Sequence, residues 1–182
     1  SNSWSQLGSD IDGEAAGDYS GRSVSLSADG TTVAIGAYLN DGNGDDSGHT
    51  RVYQYASNSW SQLGSDIDGE AAGDNSGYSV SLSDDGTIVA IGADGNDGNG
   101  SNSGHTRVYQ YASNSWSQLG SDIDGEAAGD YSGRSVSLSA DGTIVGIGAY
   151  LNDGNGKVDS GHTRIYQYAS NSWSQLGSDI DG

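Results

Sequence analysis

Residues 20–37 read SGRSVSLSADGTTVAIGA, and this stretch decides the fold. Ser23–Ser27 (SVSLS) alternates strictly, with Val24 and Leu26 on one face and serines on the other. Thr32–Ala37 (TVAIGA) puts Val33 and Ile35 on one face and Ala34 and Gly36 on the other. Between them Ala28-Asp29-Gly30 carries the Asp-Gly signal of a tight hairpin. The pattern predicts two short antiparallel strands with one face of larger apolar residues and one of small residues.

Further along, His49–Ala56 (HTRVYQYA) supplies a third strand whose Val and Tyr suit a pleated, half-buried surface. Upstream, Trp4–Ile11 (WSQLGSDI), with Gly8 inside it, is read as a fourth strand that opens the chain. These are strands A (Ser23–Ser27), B (Thr32–Ala37), C (His49–Ala56) and D (Trp4–Ile11). No segment carries a helical apolar stripe.

The whole pattern recurs. Ser1–Ala56 is followed by Ser57–Ala112 and then by Ser113–Ala169, which is one residue longer; Ser170–Gly182 repeats the opening SNSWSQLGSDIDG unchanged. Such self-similarity is the mark of a stacked or radial array. Four short strands per unit cannot bury their faces alone, and radial packing of such sheets gives a β-propeller. The small faces (Ser23, Ser25, Ala34, Gly36) would let a neighbouring sheet's Val, Leu and Ile approach closely. A linear β-solenoid has a similar signature, but Asp-Gly hairpins favour antiparallel blades. The expected fold is therefore all-β, with four-stranded antiparallel blades of a β-propeller as a partial ring or array. Residues 1–13 are expected to form a blade-closing strand, and 14–69, 70–125 and 126–182 three blades. Three blades are too few to close a ring. The chain, which lacks an initial Met, is thus expected to be an excerpt of a longer array.

Composition narrows the partners. With 25 acidic and 6 basic residues the net charge is −19, which argues against nucleic acid or an anionic membrane surface. No apolar run approaches a membrane span, so insertion is not expected. There is no Cys, hence neither a disulfide framework nor a thiolate metal site.

The unit resembles an FG-GAP repeat, the blade of integrin-α-type propellers. The matching residues are Ser20–Leu26, Thr32–Tyr38, Ser47-Gly48 and Val52–Tyr55, and they recur in all three units. The family has Phe-Gly where this chain has Ser20-Gly21, and Gly-Ala-Pro where it has Gly36-Ala37-Tyr38. Integrin-like blades often carry a calcium loop between strands A and B; here that link is only Ala28-Asp29-Gly30, too short to wrap a cation. The resemblance implies an extracellular or cell-surface adhesion setting without enzymatic activity.

In an antiparallel meander the D–A and B–C links share one rim and the A–B and C–D links the other. Asp10, Asp12, Glu14, Asp18, Asp41, Asp45 and Asp46 then crowd one rim, with Asp29 opposite. Two clusters there have the spacing of calcium ligands. One is Asp41, Asn43 and Asp45, whose copies degrade to Asp97, Asn99 and Ser101 and then to Asp153, Asn155 and Lys157. The other is Asp10, Asp12 and Glu14, unchanged at Asp66, Asp68 and Glu70 and at Asp122, Asp124 and Glu126. Asp, Asn and Gly also simply form turns, so each cluster has a structural reading beside the calcium one.

His49, His105 and His162, one per unit, are read as packing or hydrogen-bonding residues. Trp4, Trp60, Trp116 and Trp173 are read as wedges between blades, with sugar stacking as the alternative. Asn99-Gly100-Ser101 is a glycosylation sequon in an exposed loop. The expected function is a non-enzymatic extracellular structural or adhesion module of a longer surface or filament protein, with calcium as its ion. Its expected partners are copies of itself, further repeats, or protein or glycan ligands. The alternative is a multivalent glycan-binding lectin-like propeller.

Overall fold

The structure, a computed structural model, describes residues 3–182. Ser23–Leu26 (β1), Thr32–Ala37 (β2), His49–Ala56 (β3), Ser59–Gln62 (β4) and Ile67–Asp68 (β5) make the first sheet. Ser76–Leu82 (β6), Ile88–Ala93 (β7), His105–Ala112 (β8), Ser115–Gln118 (β9) and Ile123–Asp124 (β10) make the second. Ser132–Leu138 (β11), Ile144–Ala149 (β12), His162–Ala169 (β13), Ser172–Gln175 (β14) and Ile180–Asp181 (β15) make the third. All pairings within the sheets are antiparallel, and each sheet is a blade of a β-propeller.

The hairpins follow from local chemistry. In the A–B turn Gly30 N–H donates to Ser27 O, and Gly30 sits at φ 71°, where a side chain is disfavoured. Asp29 clasps this turn, accepting from Thr31 N at 2.9 Å and Ser27 Oγ at 2.7 Å. The C–D turn is a two-residue hairpin in which Ser57 and Asn58 both have positive φ, 53° and 63°. That is the geometry whose twist matches the flanking strands.

Strand D differs from its sequence reading in two ways. It is broken: β4 pairs with β3 at Tyr53↔Gln62, and β5 at Thr50↔Ile67, so two extra residues lie between its halves. The break falls at Gly64, at φ 71°, and the intervening Leu63 packs into the core. In addition, its first copy, Trp4–Ile11, is not a strand. Among the described residues no C strand pairs with residues 3–22, and an unpaired strand leaves its backbone groups unbonded. The segment instead lies where the outer strand of a preceding blade would: Trp60 Nε1 donates to Leu7 O at 2.8 Å, as Trp116 does to Leu63 O and Trp173 to Leu119 O at 2.7 Å.

The core lies between blades. Ala34, Val52 and Ile67 of the first blade meet Val80, Leu82, Val89 and Ile91 of the second. Ala90, Val108 and Ile123 of the second meet Val136, Leu138, Val145 and Ile147 of the third. Small residues on one face permit this approach. Ser23 Oγ donates to Gly77 O at 2.7 Å, and Ser25 Oγ accepts Leu82 N–H at 2.9 Å, so the serine face bonds the next blade's inner strand. Two faces stay uncovered. Val24 and Leu26 are about 60% exposed on the first blade, as is Ile180 on the third, whereas their counterparts Val80, Leu82 and Ile67 are buried.

The rims separate as the meander requires. Gly48 bridges to Ser76, and Gly73 N donates to Asp45 O, so the B–C loop packs on the following D–A link. On the other rim successive A–B turns join through Ala28 N to Asp84 O and Asp84 N to Ala140 O, both 2.8 Å. Their clasping carboxylates Asp29, Asp85 and Asp141 all titrate below the ordinary value of 3.8, through hydrogen bonds from the Ser and Thr of the turn. Because the folded value is depressed, this stabilisation is whole above about pH 4 and is lost as pH falls through the folded value. Asp85→Asn keeps the acceptor but not the charge. It is expected to flatten the acid-side fall of the urea midpoint relative to the unsubstituted chain.

Candidate functional site

The Asp-Ile-Asp-Gly-Glu segment does not act as one cluster. Its members meet different neighbours because the chain runs extended through β5 and β10, which sets the Asp and Glu four residues apart roughly 13 Å from each other. Asp66 turns toward His49 of its own blade, at 3.8 Å from Nδ1, where it meets Glu14 of the preceding link at 3.9 Å. Glu70 points onward to His105 of the next blade at 3.9 Å, and joins Asp122 there. Glu126 and Asp179 do the same around His162 at 3.7 and 3.9 Å. In each group the carboxylate and imidazole atoms lie within 4.8 Å of one another, so each group could hold a metal ion.

Neighbours aim these atoms. Arg51, Arg107 and Arg164 hold the other oxygen of Glu14, Glu70 and Glu126 at 3.4, 3.3 and 3.6 Å. The same arginines donate to the carbonyls of Asp12, Asp68 and Asp124 at 2.8, 2.8 and 2.7 Å. Gln62, Gln118 and Gln175 hold Oδ1 of Asp66, Asp122 and Asp179 at 2.5, 2.6 and 2.7 Å, leaving Oδ2 free. Asp10 is likewise held by Gln6 at 2.8 Å.

The histidines are buried, as the packing reading of their position expects, but the hydrogen-bonding one is not met at four ring nitrogens. Nδ1 of His49, Nε2 of His105 and both ring nitrogens of His162 have no hydrogen-bond partner. A buried polar atom left unpaired costs about 1–3 kcal/mol. Burial, followed by the Arg107 charge, holds His105 below the ordinary imidazole value against the upward pull of Asp122 and Glu70.

The B–C loops use their side chains otherwise. Asp41 Oδ1 accepts Asp46 N–H at 2.8 Å and closes the loop. Asn43 Nδ2 donates to Gly69 O and Glu70 O at 2.9 and 3.0 Å and docks the loop on the next link. Asp97 and Asn99 repeat both roles. Asp45 contributes its carbonyl, to Gly73. In the third loop Gly154–Gly156 turns as a 3-10 helix. Beneath the first loop, Asn40 Nδ2 donates to the buried Asp18 carboxylate at 2.8 Å.

The Tyr, Arg and Asp positions that differ between repeats converge on one inner patch of the same rim. Tyr38 packs on Tyr78 at 5.3 Å, Arg22 stacks on Tyr78 at 4.6 Å, and Arg134 lies between Tyr78 and Tyr150 at 4.2 and 5.0 Å. Arg134 also bonds the buried Asp94 at 2.8 Å. Asp94 still titrates above the ordinary carboxylate value, because its burial outweighs the Arg134 contact. Tyr19 and Tyr150 extend this patch into solvent.

The FG-GAP repeat model matches residues 10–53, 66–109 and 122–166, well over half of the chain. The chain belongs to the FG-GAP repeat family. Each matched stretch runs from the acidic segment to strand C, and therefore contains the Glu and His of one metal-competent group. No curated protein matches this FG-GAP chain in sequence. Among solved structures it is similar to a putative 6-phosphogluconolactonase from Bacteroides uniformis, with a TM-score of 0.59 at 13% identity over 88% of this chain and 40% of that one. It is also similar to the β-propeller domain of the Trilobed protease from Pyrococcus furiosus, with a TM-score of 0.51 at 12% identity over 88% and 41%. The FG-GAP chain thus spans about two-fifths of these propellers' length, and at such identities the likeness is one of fold.

Proposed function

We propose that this FG-GAP chain is a non-enzymatic extracellular structural or adhesion module of a longer surface or filament protein. Its first partners are further repeats or copies of itself. The observation that carries this reading is the pair of uncovered blade faces. Val24 and Leu26 at one end, and Leu176 and Ile180 at the other, are exposed, while the same positions between blades form the core. An array of this kind gains stability from each neighbour interface. Sedimentation velocity over rising concentration should show reversible self-association that Leu26→Glu suppresses. A single monomer at every concentration would overturn the assembly.

Calcium belongs to the same proposal, as the counter-ion of the acidic rim. The net charge of −19 and the crowding of carboxylates on one side support it. Millimolar calcium is expected to raise the melting midpoint, and unchanged melting counts against this part. The Tyr19, Tyr38, Tyr78 and Arg134 patch supports a second reading, a glycan-binding surface, because aromatic faces with a polar neighbour suit sugar rings. Specific hits on a glycan array that vanish with Tyr78→Ala would favour it.

A further inference from the structure

We propose that each Glu–His–Asp group binds one divalent transition-metal cation of the zinc type, clamping the preceding acidic link to the blade that follows it. The ligands are Glu14, His49 and Asp66, then Glu70, His105 and Asp122, then Glu126, His162 and Asp179. This goes beyond the scaffold reading and does not rest on it.

The separation of the facing atoms supports an ion rather than a proton between them. An imidazolium hydrogen bond to a carboxylate would be about 2.7–2.9 Å long. The observed Nδ1 to oxygen distances are 3.7–3.9 Å. Bonds of about 2.0–2.2 Å to a tetrahedral ion set ligands roughly 3.3–3.5 Å apart, a change that small side-chain rotations supply.

The buried, unpartnered imidazole nitrogens are the independent observation. His49 Nδ1 is aimed between two carboxylate oxygens and makes no hydrogen bond, and His162 Nδ1 repeats this. The Arg and Gln contacts provide the outer support typical of metal sites, fixing one oxygen of each carboxylate and leaving the other for the ion. Two carboxylates offset the charge of a divalent ion. The glutamate side chain is nearly half exposed in each group, which opens a path for entry and a position for water.

Donor chemistry selects the ion. One nitrogen and two carboxylates suit zinc, cobalt or manganese, whereas calcium requires six or more oxygens. The clamp has a definite mechanical sense. Glu70 follows the outer strand of the first blade, while His105 begins the third strand of the second and Asp122 immediately precedes its β10. An ion held by all three ties the two blades together.

The test is a titration of the full chain with cobalt(II), followed by its visible d–d absorption, with zinc stoichiometry measured by calorimetry. Three equivalents are expected to bind at micromolar concentration, one per group. Glu70→Gln and Asp122→Asn, which preserve shape, should each reduce this to two, as should His105→Ala if it folds. Asp41→Asn in the loop should leave the count unchanged. Excess calcium should not displace the cobalt. No binding at micromolar metal, an unchanged count in both Glu70→Gln and Asp122→Asn, or ready displacement by calcium would each overturn the proposal. Self-association does not enter these readouts, so failure of the scaffold reading remains distinguishable.

Discussion

Gly92→Ala is expected to destabilise the chain by about 3 kcal/mol, seen as a lower urea midpoint with an unchanged slope. Gly92 lies in β7, and a Cβ there would overlap the carbonyl oxygen of Gly133 in the next blade. That oxygen is backbone and is held by Ser79 Oγ at 2.7 Å, so it cannot rotate away. At the equivalent Gly148 an added Cβ would press only on the side-chain oxygen of Ser135, which can turn. Gly148→Ala is therefore expected to cost under about 1 kcal/mol, the range of local strand effects. Gly146→Ala is the complementary control. Repeats one and two carry Ala34 and Ala90 at this place, and the nearest neighbour, Ile165 Cδ1, lies 3.2 Å away at a movable tip. If Gly92→Ala and Gly148→Ala prove equally harmful, close blade packing is not what requires the glycine.

Arg107→Leu should cost about 2–3 kcal/mol, the scale of a lost hydrogen bond to a charged group. Arg107 is 93% buried, being only 7% exposed. It donates to Asp68 O at 2.8 Å across the blade interface, pairs with Glu70 at 3.3 Å and stacks on Tyr109 at 5.6 Å. Leu would bury more apolar surface but leave the Asp68 carbonyl without its donor. Arg51→Leu removes the same contact to Asp12 O at 2.8 Å, which fastens only the N-terminal segment to the first blade. Global unfolding should then move little while amide exchange in residues 3–14 accelerates. Equal losses of global stability in the two variants would show that the segment and the blades unfold together.

Strands A, B and C were legible in sequence because their alternation matches the pleat and their links are strong turn signals. β2 and β3 coincide with Thr32–Ala37 and His49–Ala56. β1 ends one residue before the expected Ser27, while its copies β6 and β11 begin earlier in the unit, at Ser76 and Ser132. Those two residues bridge to Gly48 and Gly104 of the preceding repeat, and Ser20 has no such repeat before it. Strand D was less legible. A glycine at positive φ breaks it, and its first copy lacks a pairing partner, neither of which a period-two pattern encodes. Trp116 and Trp173 pack against the inter-blade clusters as the expected wedges, whereas Trp60 meets the N-terminal segment at Leu7 and Trp4 is fully exposed.

The site was legible only in part. Asp66 and Glu70 were found as ligands of one cluster, yet the extended backbone sends them to two different histidines. The signal that could have found the groups is the recurrence of a histidine two residues before an arginine, together with the acidic segment, in every unit.

Local chemistry therefore settled the blade: alternation, Asp-Gly turns and small-residue faces are properties of neighbouring residues, and each copy carries them whole. Which carboxylate meets which histidine, where the variable Tyr, Arg and Asp converge, and which faces remain open depend on residues about 17–57 positions apart. The Asp66–His49 pair closes within a blade, but the longer distances close only when one blade stacks on another, so repeat sequence specifies the parts and inter-blade packing completes the site.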